Sequence, residues 1–253
     1  EGRTAIMGEA QATAGQMALF CRSKNPAPKL TACSLEELAE MFLEEGKAEG
    51  VRGDVAFAQS LHETGYFKYG GIVTPEMNNF AGIGALNGNA TGQAASFPDP
   101  RTGVRAQIQH LKAYASTEAL TKACVDPRFS LVSRGSAPYV EWLGAADNPN
   151  GKGWAVPGKG YGEKVTALLE QILRTEDPSS PAAGTPEPAW AKLVAGYPQY
   201  QKDGLEALAE AGILDSPETW AGRFGRDMTV GEAVGIMGKL LAWMRTAGEN
   251  PAG

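Results

Sequence analysis

The chain has 253 residues, of which 43% are hydrophobic and 21% charged, and its formal net charge is −6. This acidic balance excludes a basic field that would attract nucleic acid or an acidic membrane surface. No apolar run reaches the roughly 20 residues that a membrane-spanning helix needs. The composition therefore predicts a globular protein with one sizeable core and room for a small second unit.

Apolar residues recur at helical spacing near the start of the chain and predict a first amphipathic helix. These residues are Met7, Ala10, Ala14, Met17 and Cys21. Ser34 and Glu37 form a capping-box pattern, which predicts the start of a second helix. Gly46 and Gly50 are expected to end that helical region.

A third helix is predicted behind Asp54, its expected N-cap, with Val55, Ala58 and Leu61 facing inward. Two later helices are predicted from the same spacing, on Val104, Ile108, Leu111 and Ala115 and on Val165, Leu168, Leu169 and Ile172. Strand-like alternation is nearly absent, and the Gly-, Asn- and Ala-rich residues 82–100 are predicted to be loop. The pattern predicts a mainly α protein.

A proline-rich linker is predicted over residues 176–188, because its prolines cannot continue a helix and stiffen the connection. It separates a first domain, residues 1–175, from a small helical domain, residues 189–253. The apolar positions of the second domain are Leu205, Leu208, Ala209, Val230, Ala233, Val234, Met237, Leu241 and Met244. So few apolar positions would be marginal alone, and we expect the segment to dock on another surface.

The three cysteines allow two interpretations. Cys21 and Cys33 are close enough in sequence to bridge two helices, which would stabilise the fold by about 3 kcal/mol through loop-closure entropy. Cys124 would then remain unpaired. Three buried thiols that pack as small hydrophobes are an equally good interpretation.

Glu63 is the strongest candidate for chemistry. It lies in the predicted last turn of the third helix with Gly65 as the C-cap, where the negative end of the helix dipole disfavours a carboxylate. Leu61, Tyr66 and Phe67 flank it and are expected to exclude water, raising its pKa above the usual value of about 4.3. A carboxyl group that keeps its proton can act as a general acid. The alternative is an exposed glutamate at a helix end.

His62 and Glu63 match the start of the zinc-binding helix pattern His-Glu-x-x-His, but the second histidine ligand is missing. The second histidine would stand at position 66, which is Tyr66, and His110 is the other histidine of the chain. We therefore expect neither a metal site nor a cofactor.

Two further segments accompany Glu63. The run Asn78-Asn79-Phe80-Ala81-Gly82-Ile83-Gly84 follows it by fifteen residues, and Asn and Gly there could also form a simple turn. The other segment runs from Trp154 to Tyr161 and precedes the last predicted helix of the first domain.

Together these segments resemble the bacterial endo-β-N-acetylglucosaminidases of the autolysin and flagellar type, over roughly residues 5–174. The resemblance implies that Glu63 is the general acid and that Tyr161 faces it across a glycan-binding groove. It implies substrate-binding roles for Asn78, Asn79, Phe80, Gly82 and Trp154. Trp154 could stack on a sugar or equally fill the core.

This sequence departs from the family in its second acidic residue. Relatives often carry that residue in a β-hairpin after the Asn-Phe-Gly segment, but residues 85–97 here contain no acidic residue. The nearest carboxylates are Glu76 and Asp99. The second catalytic group is left open between these two residues and the acetamido group of the sugar itself.

The resemblance implies a mainly α, lysozyme-like catalytic domain that hydrolyses the β-1,4 bond after N-acetylglucosamine in peptidoglycan. One alternative is a lytic transglycosylase, which also uses one glutamate and needs no water-activating base. Another is a wall-binding module without catalysis. This substrate implies a location outside the cell or in the cell wall, although the sequence contains no signal peptide.

Residues 190–244 resemble one S-layer homology repeat. Gly204–Leu214 matches its first helix, and Phe224 and Met228–Ala233 match the segment that opens the second. Val230 replaces the arginine of the motif, and a lone repeat lacks the grooves between neighbours where wall polymers bind. We expect this segment to pack on the catalytic domain or to mediate self-association, with wall binding as the weaker alternative.

Deletion of all residues after Thr175 is expected to lower the melting temperature and to leave wall affinity nearly unchanged. The reason is the thin core of the tail, which needs another surface for stability. Calorimetry and sedimentation with insoluble peptidoglycan measure the two effects. Loss of wall affinity at unchanged stability would favour wall targeting instead.

Overall fold

The structure, a computed structural model, describes residues 2–84, 94–177, 191–194, 199–210, 213–214, 216–223, 235–236 and 239. The chain divides into two compact units, residues 1–178 and 179–253. This division falls within the predicted linker, but residues 178–188 of that linker lie outside the described residues, and its conformation stays a prediction.

The described part of the first unit contains five α-helices: α1 Ala14–Lys24, α2 Leu35–Glu49, α3 Gly53–Thr64, α4 Pro100–Ala115 and α5 Tyr161–Leu173. The described residues contain no strand, only isolated bridges such as Met7 to Val51 and Ala5 to Tyr139. Among them, no helix combines the length and the apolarity that a membrane crossing requires. The prediction of a mainly α, lysozyme-like architecture is confirmed.

Helix ends agree with the sequence where a cap is local. Ser34 and Glu37 form the predicted capping box of α2, and Gly50 ends that helix in a left-handed conformation. Gly46, in contrast, continues α2. The predicted Asp54 cap is displaced, because α3 already begins at Gly53 and the Asp54 carboxylate accepts backbone hydrogen bonds from residues 11, 12 and 55.

The first helix starts later than predicted. Thr13 caps α1 through a capping box with Gln16, and the residues before it are not helical. The backbone of Ile6 and Met7 instead pairs with backbone near residues 51 and 138. Their apolar side chains therefore belong to a non-helical segment.

The centre of the first unit is α3, whose residues 53–61 are all buried. Four aromatic rings pack edge to face around it: Phe42 on Phe57 at 5.6 Å, Phe57 on Phe67 at 5.9 Å, Phe67 on Phe80 at 6.1 Å and Phe80 on Phe42 at 6.2 Å. Such pairs contribute about 0.5–1.5 kcal/mol each beyond the area they bury. This cluster of four aromatic side chains packs the end of α3 against the segment that contains Phe80.

Two buried carboxylates join α2 to α4. Glu45 accepts hydrogen bonds from Arg105 and Lys122, each at 2.9 Å, and Glu49 accepts one from Lys112 at 3.0 Å. Burial raises the pKa of Glu45, but the hydrogen bonds from Arg105 and Lys122 outweigh it and hold that pKa at about 2. These acids are therefore ionised and structural.

None of the three cysteines forms a disulfide. Cys21 is buried, Cys33 is half-buried and Cys124 is exposed, so the bridge between Cys21 and Cys33 is absent and the interpretation as three buried thiols is also wrong. Burial raises the pKa of Cys21 to about 12 and that of Cys33 to about 11, which leaves both as unreactive thiols.

In the second unit, the structure describes α6 Gln199–Glu210 and α7 Pro217–Ala221. Its described core is small and consists of Val194, Leu205, Leu214 and Ala221. Phe224 and the predicted segment Met228–Ala233 lie outside the described residues, and so do most positions of the helix expected behind them. The resemblance to an S-layer homology repeat stays a prediction.

Candidate active site

Glu63 occupies the last turn of α3, as predicted. The helix ends at Thr64, and Gly65 follows as its C-cap in a left-handed conformation with φ +59°. Glu63 is exposed, although residues 53–61 of the same helix are buried. The carboxyl group therefore stands at the negative end of the helix dipole and remains accessible to a substrate.

A strained turn follows Glu63. Tyr66 and Phe67 continue the left-handed conformation of Gly65, with φ +59° and +58°. Non-glycine residues rarely adopt this region, and here Thr64 Oγ1 accepts the Phe67 N–H at 2.9 Å while Asn25 donates to the Tyr66 carbonyl at 2.8 Å. The turn sends the chain away from α3 directly after the acid.

Desolvation raises the pKa of Glu63, as the sequence predicts, and hydrogen bonds from Tyr161 and Trp154 oppose that rise in part. Glu63 is thus an exposed residue whose carboxyl group is nevertheless desolvated by nearby protein atoms. The arrangement favours the protonated form that a general acid needs.

The structure brings Tyr161 to Glu63. Tyr161 is the first residue of α5 and is buried, and its hydroxyl donates a hydrogen bond to Glu63 Oε1. Burial, reinforced by the Glu63 charge, raises the Tyr161 pKa well above its usual range, so it stays a donor. The His62 ring packs edge-on against Tyr161 at 5.2 Å, and burial lowers the pKa of His62, which favours its neutral form.

Residues 78–84 lie between α4 and the acid. A Cβ on Gly103 of α4 would stand 1.8 Å from the Asn78 carbonyl oxygen, so the loop backbone packs directly on that helix. On the other side, a Cβ on Gly82 would stand 3.7 Å from Glu63 Oε2. Gly82, at φ +65°, thus brings loop backbone next to the acid without a side chain between them.

The other candidate binding residues of this loop face inward. Asn79 is fully buried and donates to the carbonyls of Ile83 and Ala95, both at 2.9 Å, while its own oxygen accepts the Ile83 N–H at 3.0 Å. Asn78 donates to the Phe97 carbonyl at 3.1 Å. Phe80 packs against Phe42 and Phe67 in the core. These three side chains shape the loop rather than face a ligand.

Trp154 is half-buried and lies between Glu63 and a second polar pair, His110 and Asp126. Its ring packs edge-on against His110 at 4.7 Å and lies 6.2 Å from the ring of Tyr114. His110 Nδ1 lies 2.7 Å from a carboxylate oxygen of Asp126. Trp154 thus packs against side chains of α4 and remains partly exposed.

The candidate second carboxylates have local structural roles. Asp99 caps α4, accepting hydrogen bonds from the Thr102 N–H at 2.8 Å and the Thr102 hydroxyl at 2.7 Å, and these bonds lower its pKa. Glu76 is exposed, and a hydrogen bond from Thr74 lowers its pKa. Both carboxylates therefore accept hydrogen bonds from nearby residues of their own turns, and the lowered pKa of each favours its ionised form.

Two buried glutamines beside the acid were missed by sequence reasoning. Gln59, one turn before Glu63 on α3, donates to the Tyr161 hydroxyl at 2.9 Å, and Gln107 on α4 donates to Gln59 at 2.9 Å. The spacing of Gln59 and Glu63 places both on one helix face, which is the signal that was available.

The site thus combines a desolvated glutamate in the last turn of a helix with a buried tyrosine that donates to it, an arrangement that fits a general acid. Residues 39–174 match the Glucosaminidase family, described as mannosyl-glycoprotein endo-beta-N-acetylglucosaminidase. The chain belongs to this family, which confirms the resemblance to glucosaminidases inferred from Glu63 and its neighbouring segments, while the autolysin and flagellar type stays a prediction.

A curated protein of Borreliella burgdorferi (strain B31), described as an uncharacterized protein, is 42% identical over 146 residues. The similarity covers 58% of this chain and 67% of that protein. No solved structure matches the chain.

Proposed function

We propose that this protein hydrolyses the β-1,4 glycosidic bond after N-acetylglucosamine in the glycan strands of bacterial peptidoglycan, with Glu63 as the general acid. The observation that carries the proposal is the Glu63 carboxyl group itself. It is desolvated, belongs to an exposed residue and accepts a hydrogen bond from Tyr161.

Glycoside cleavage requires a proton on the departing sugar oxygen, and desolvation shifts the pKa of Glu63 upward, in the direction that favours a general acid. Tyr161 orients the carboxyl through its hydrogen bond. Gly82 leaves space for a sugar beside Oε2, and Trp154 offers an aromatic surface on which a sugar ring can stack. The enzyme acts at the bacterial cell wall in this account.

The group that handles the developing positive charge on the sugar is the acetamido group of the N-acetylglucosamine itself. Asp99 and Glu76 are engaged at turns, which favours assistance from the substrate over a second protein carboxylate. Such substrate-assisted hydrolysis is known among glycoside hydrolases.

The engagement of Asp99 and Glu76 also supports a second candidate, a lytic transglycosylase. That reaction uses one acid and closes an anhydro ring without water. It needs the same Glu63 and no water-activating base, so the two candidates share a site and differ in their products.

The products distinguish them. Purified peptidoglycan digested by the full chain and analysed by mass spectrometry is expected to show reducing N-acetylglucosamine ends. Anhydro-muramyl ends would establish the transglycosylase instead. Binding to peptidoglycan without new sugar ends of either kind would contradict both and leave a wall-binding protein.

A further inference from the structure

A line of buried hydrogen bonds leads from the backbone of α3 to the acid. Gln107 Nε2 donates to the Ala56 carbonyl oxygen and to Gln59 Oε1, each at 2.9 Å. Gln59 Nε2 donates to the Tyr161 hydroxyl at 2.9 Å, and Tyr161 donates to Glu63 Oε1. Both glutamines are fully buried.

The Ala56 carbonyl fixes the direction of every bond in this line. A backbone carbonyl oxygen only accepts hydrogen bonds, so Gln107 must turn its NH2 group toward it. The second hydrogen of that NH2 requires an acceptor, and Gln59 supplies its carbonyl oxygen. Gln59 then presents its own NH2 group to Tyr161. The Tyr161 oxygen becomes an acceptor, and its hydrogen is directed at Glu63.

Ser60 supports the same orientation. Its hydroxyl lies 2.9 Å from Gln107 Oε1 and 3.2 Å from the Ala56 carbonyl oxygen, and the shorter contact accords with the carbonyl end of the Gln107 amide facing Ser60. The two amides thus have partners at both ends, and reversing either one would set two donors or two acceptors against each other.

The consequence concerns the position of the acidic proton. Because Tyr161 donates to Glu63 Oε1, and the carbonyl oxygen of a neutral carboxyl group is its better acceptor, this bond favours the carboxyl proton on Oε2. Oε2 is the oxygen on the side of Gly82, where loop backbone and open space meet.

We propose that Gln59 and Gln107 are positioning residues that hold Tyr161 as an obligate donor to Glu63 Oε1, so that the transferable proton is placed on Oε2. The inference rests on the proposed function, in which Glu63 is the general acid. Neither glutamine touches the substrate. Both act through Tyr161, and loss of either releases the Tyr161 oxygen from its role as acceptor.

Without Gln59, the proton of Glu63 can reside on Oε1 and be donated to Tyr161, away from the glycosidic oxygen. Proton transfer then slows while the groove is unchanged, so kcat falls and KM stays. Weaker donation from Tyr161 also stabilises the Glu63 carboxylate less, which raises the pKa of Glu63. Because the acid must be protonated, the alkaline limb of the pH–rate profile moves to higher pH.

The test compares Gln59→Met and Gln107→Met with Gln109→Met in the full chain, on purified peptidoglycan across pH. Gln109 is a matched control: it is fully buried on α4, but its amide bonds only the backbone of Ala123, Val125 and Asp126. We expect kcat to fall about 10- to 100-fold in the first two variants, with an unchanged KM and a displaced alkaline limb. Gln109→Met should lose stability and keep the wild-type limb.

A folded Gln59→Met variant with wild-type kcat and alkaline limb would overturn the inference, as would an equal displacement in Gln109→Met. If Glu63→Gln is inactive in the same assay, only the inference fails; if Glu63→Gln is fully active, the proposed function fails. Should the glutamine variants not fold, neutron diffraction of the wild-type protein at acidic pH decides directly. Deuterium on Glu63 Oε2 supports the proposal, and deuterium on Oε1 overturns it.

Discussion

Glu63→Gln is expected to lower kcat on peptidoglycan by about 10²- to 10⁴-fold, the usual contribution of a general acid, and to leave KM nearly unchanged. Glutamine keeps the shape of the side chain and can still accept the Tyr161 hydrogen bond, so the groove is preserved. It cannot give a proton to the departing oxygen. Release of new sugar ends from purified cell walls measures the effect.

Glu170→Gln provides the control for this prediction. Glu170 is an exposed carboxylate on α5 that lies 3.6 Å from Arg174. Glu170→Gln makes the same chemical replacement on the same unit but removes no group at Glu63. Full activity of Glu63→Gln would remove Glu63 from the mechanism, and an equal loss in both variants would indicate an effect that is not specific to Glu63.

Lys112→Met is expected to destabilise the first unit by about 3–5 kcal/mol, because it leaves a buried carboxylate without its counter-ion. Lys112 Nζ lies 3.0 Å from Glu49 Oε2, with side-chain exposures of 4% and 0%. Glu49 would keep only the backbone N–H groups of Thr121 and Lys122 as donors. Urea unfolding of the variant measures the free-energy difference.

Arg22→Met is the matched control for this buried pair. Arg22 and Glu36 form an ion pair at 2.6 Å, but both side chains are about half exposed, at 45% and 53%. Solvent screening limits such a pair to about 0–1 kcal/mol. Adding Glu49→Gln to Lys112→Met should recover part of the lost stability, since the buried charge is then gone. Equal losses in the buried and exposed variants would contradict the account.

Local signals in the sequence were sufficient for the helix ends that matter to the site. The capping box at Ser34 and the glycine after Thr64 act within one turn, so their effect does not depend on the rest of the fold. The start of α1 was wrong for the opposite reason. Met7 pairs with Val51, which is distant in sequence, and that pairing overrides its helical spacing.

The loop after Glu63 shows what a pattern leaves open. An asparagine in a glycine-rich run looks the same whether it faces a sugar or its own backbone. Asn79 satisfies four hydrogen-bonding contacts within residues 79–95, so the fold uses it to close the loop. Gly82 is the residue of this loop whose backbone lies next to Glu63, because it has no side chain.

Contacts between distant segments could not be read from spacing. Tyr161 lies 98 residues from Glu63, and only the family resemblance predicted that they meet. Gln107 lies 48 residues from Gln59, and no local pattern links the two. Their role depends on α3 and α4 packing side by side with both amides buried between them.

The central claim is that Glu63 delivers a proton to a glycosidic oxygen. The most direct measurement is a crystal structure of the Glu63→Gln variant with a bound chito-oligosaccharide. The account predicts a glycosidic oxygen within hydrogen-bonding distance of the substituted amide group, on the side of Gly82, with a sugar ring near Trp154. An oligosaccharide bound with its glycosidic oxygens out of reach of that group would contradict it.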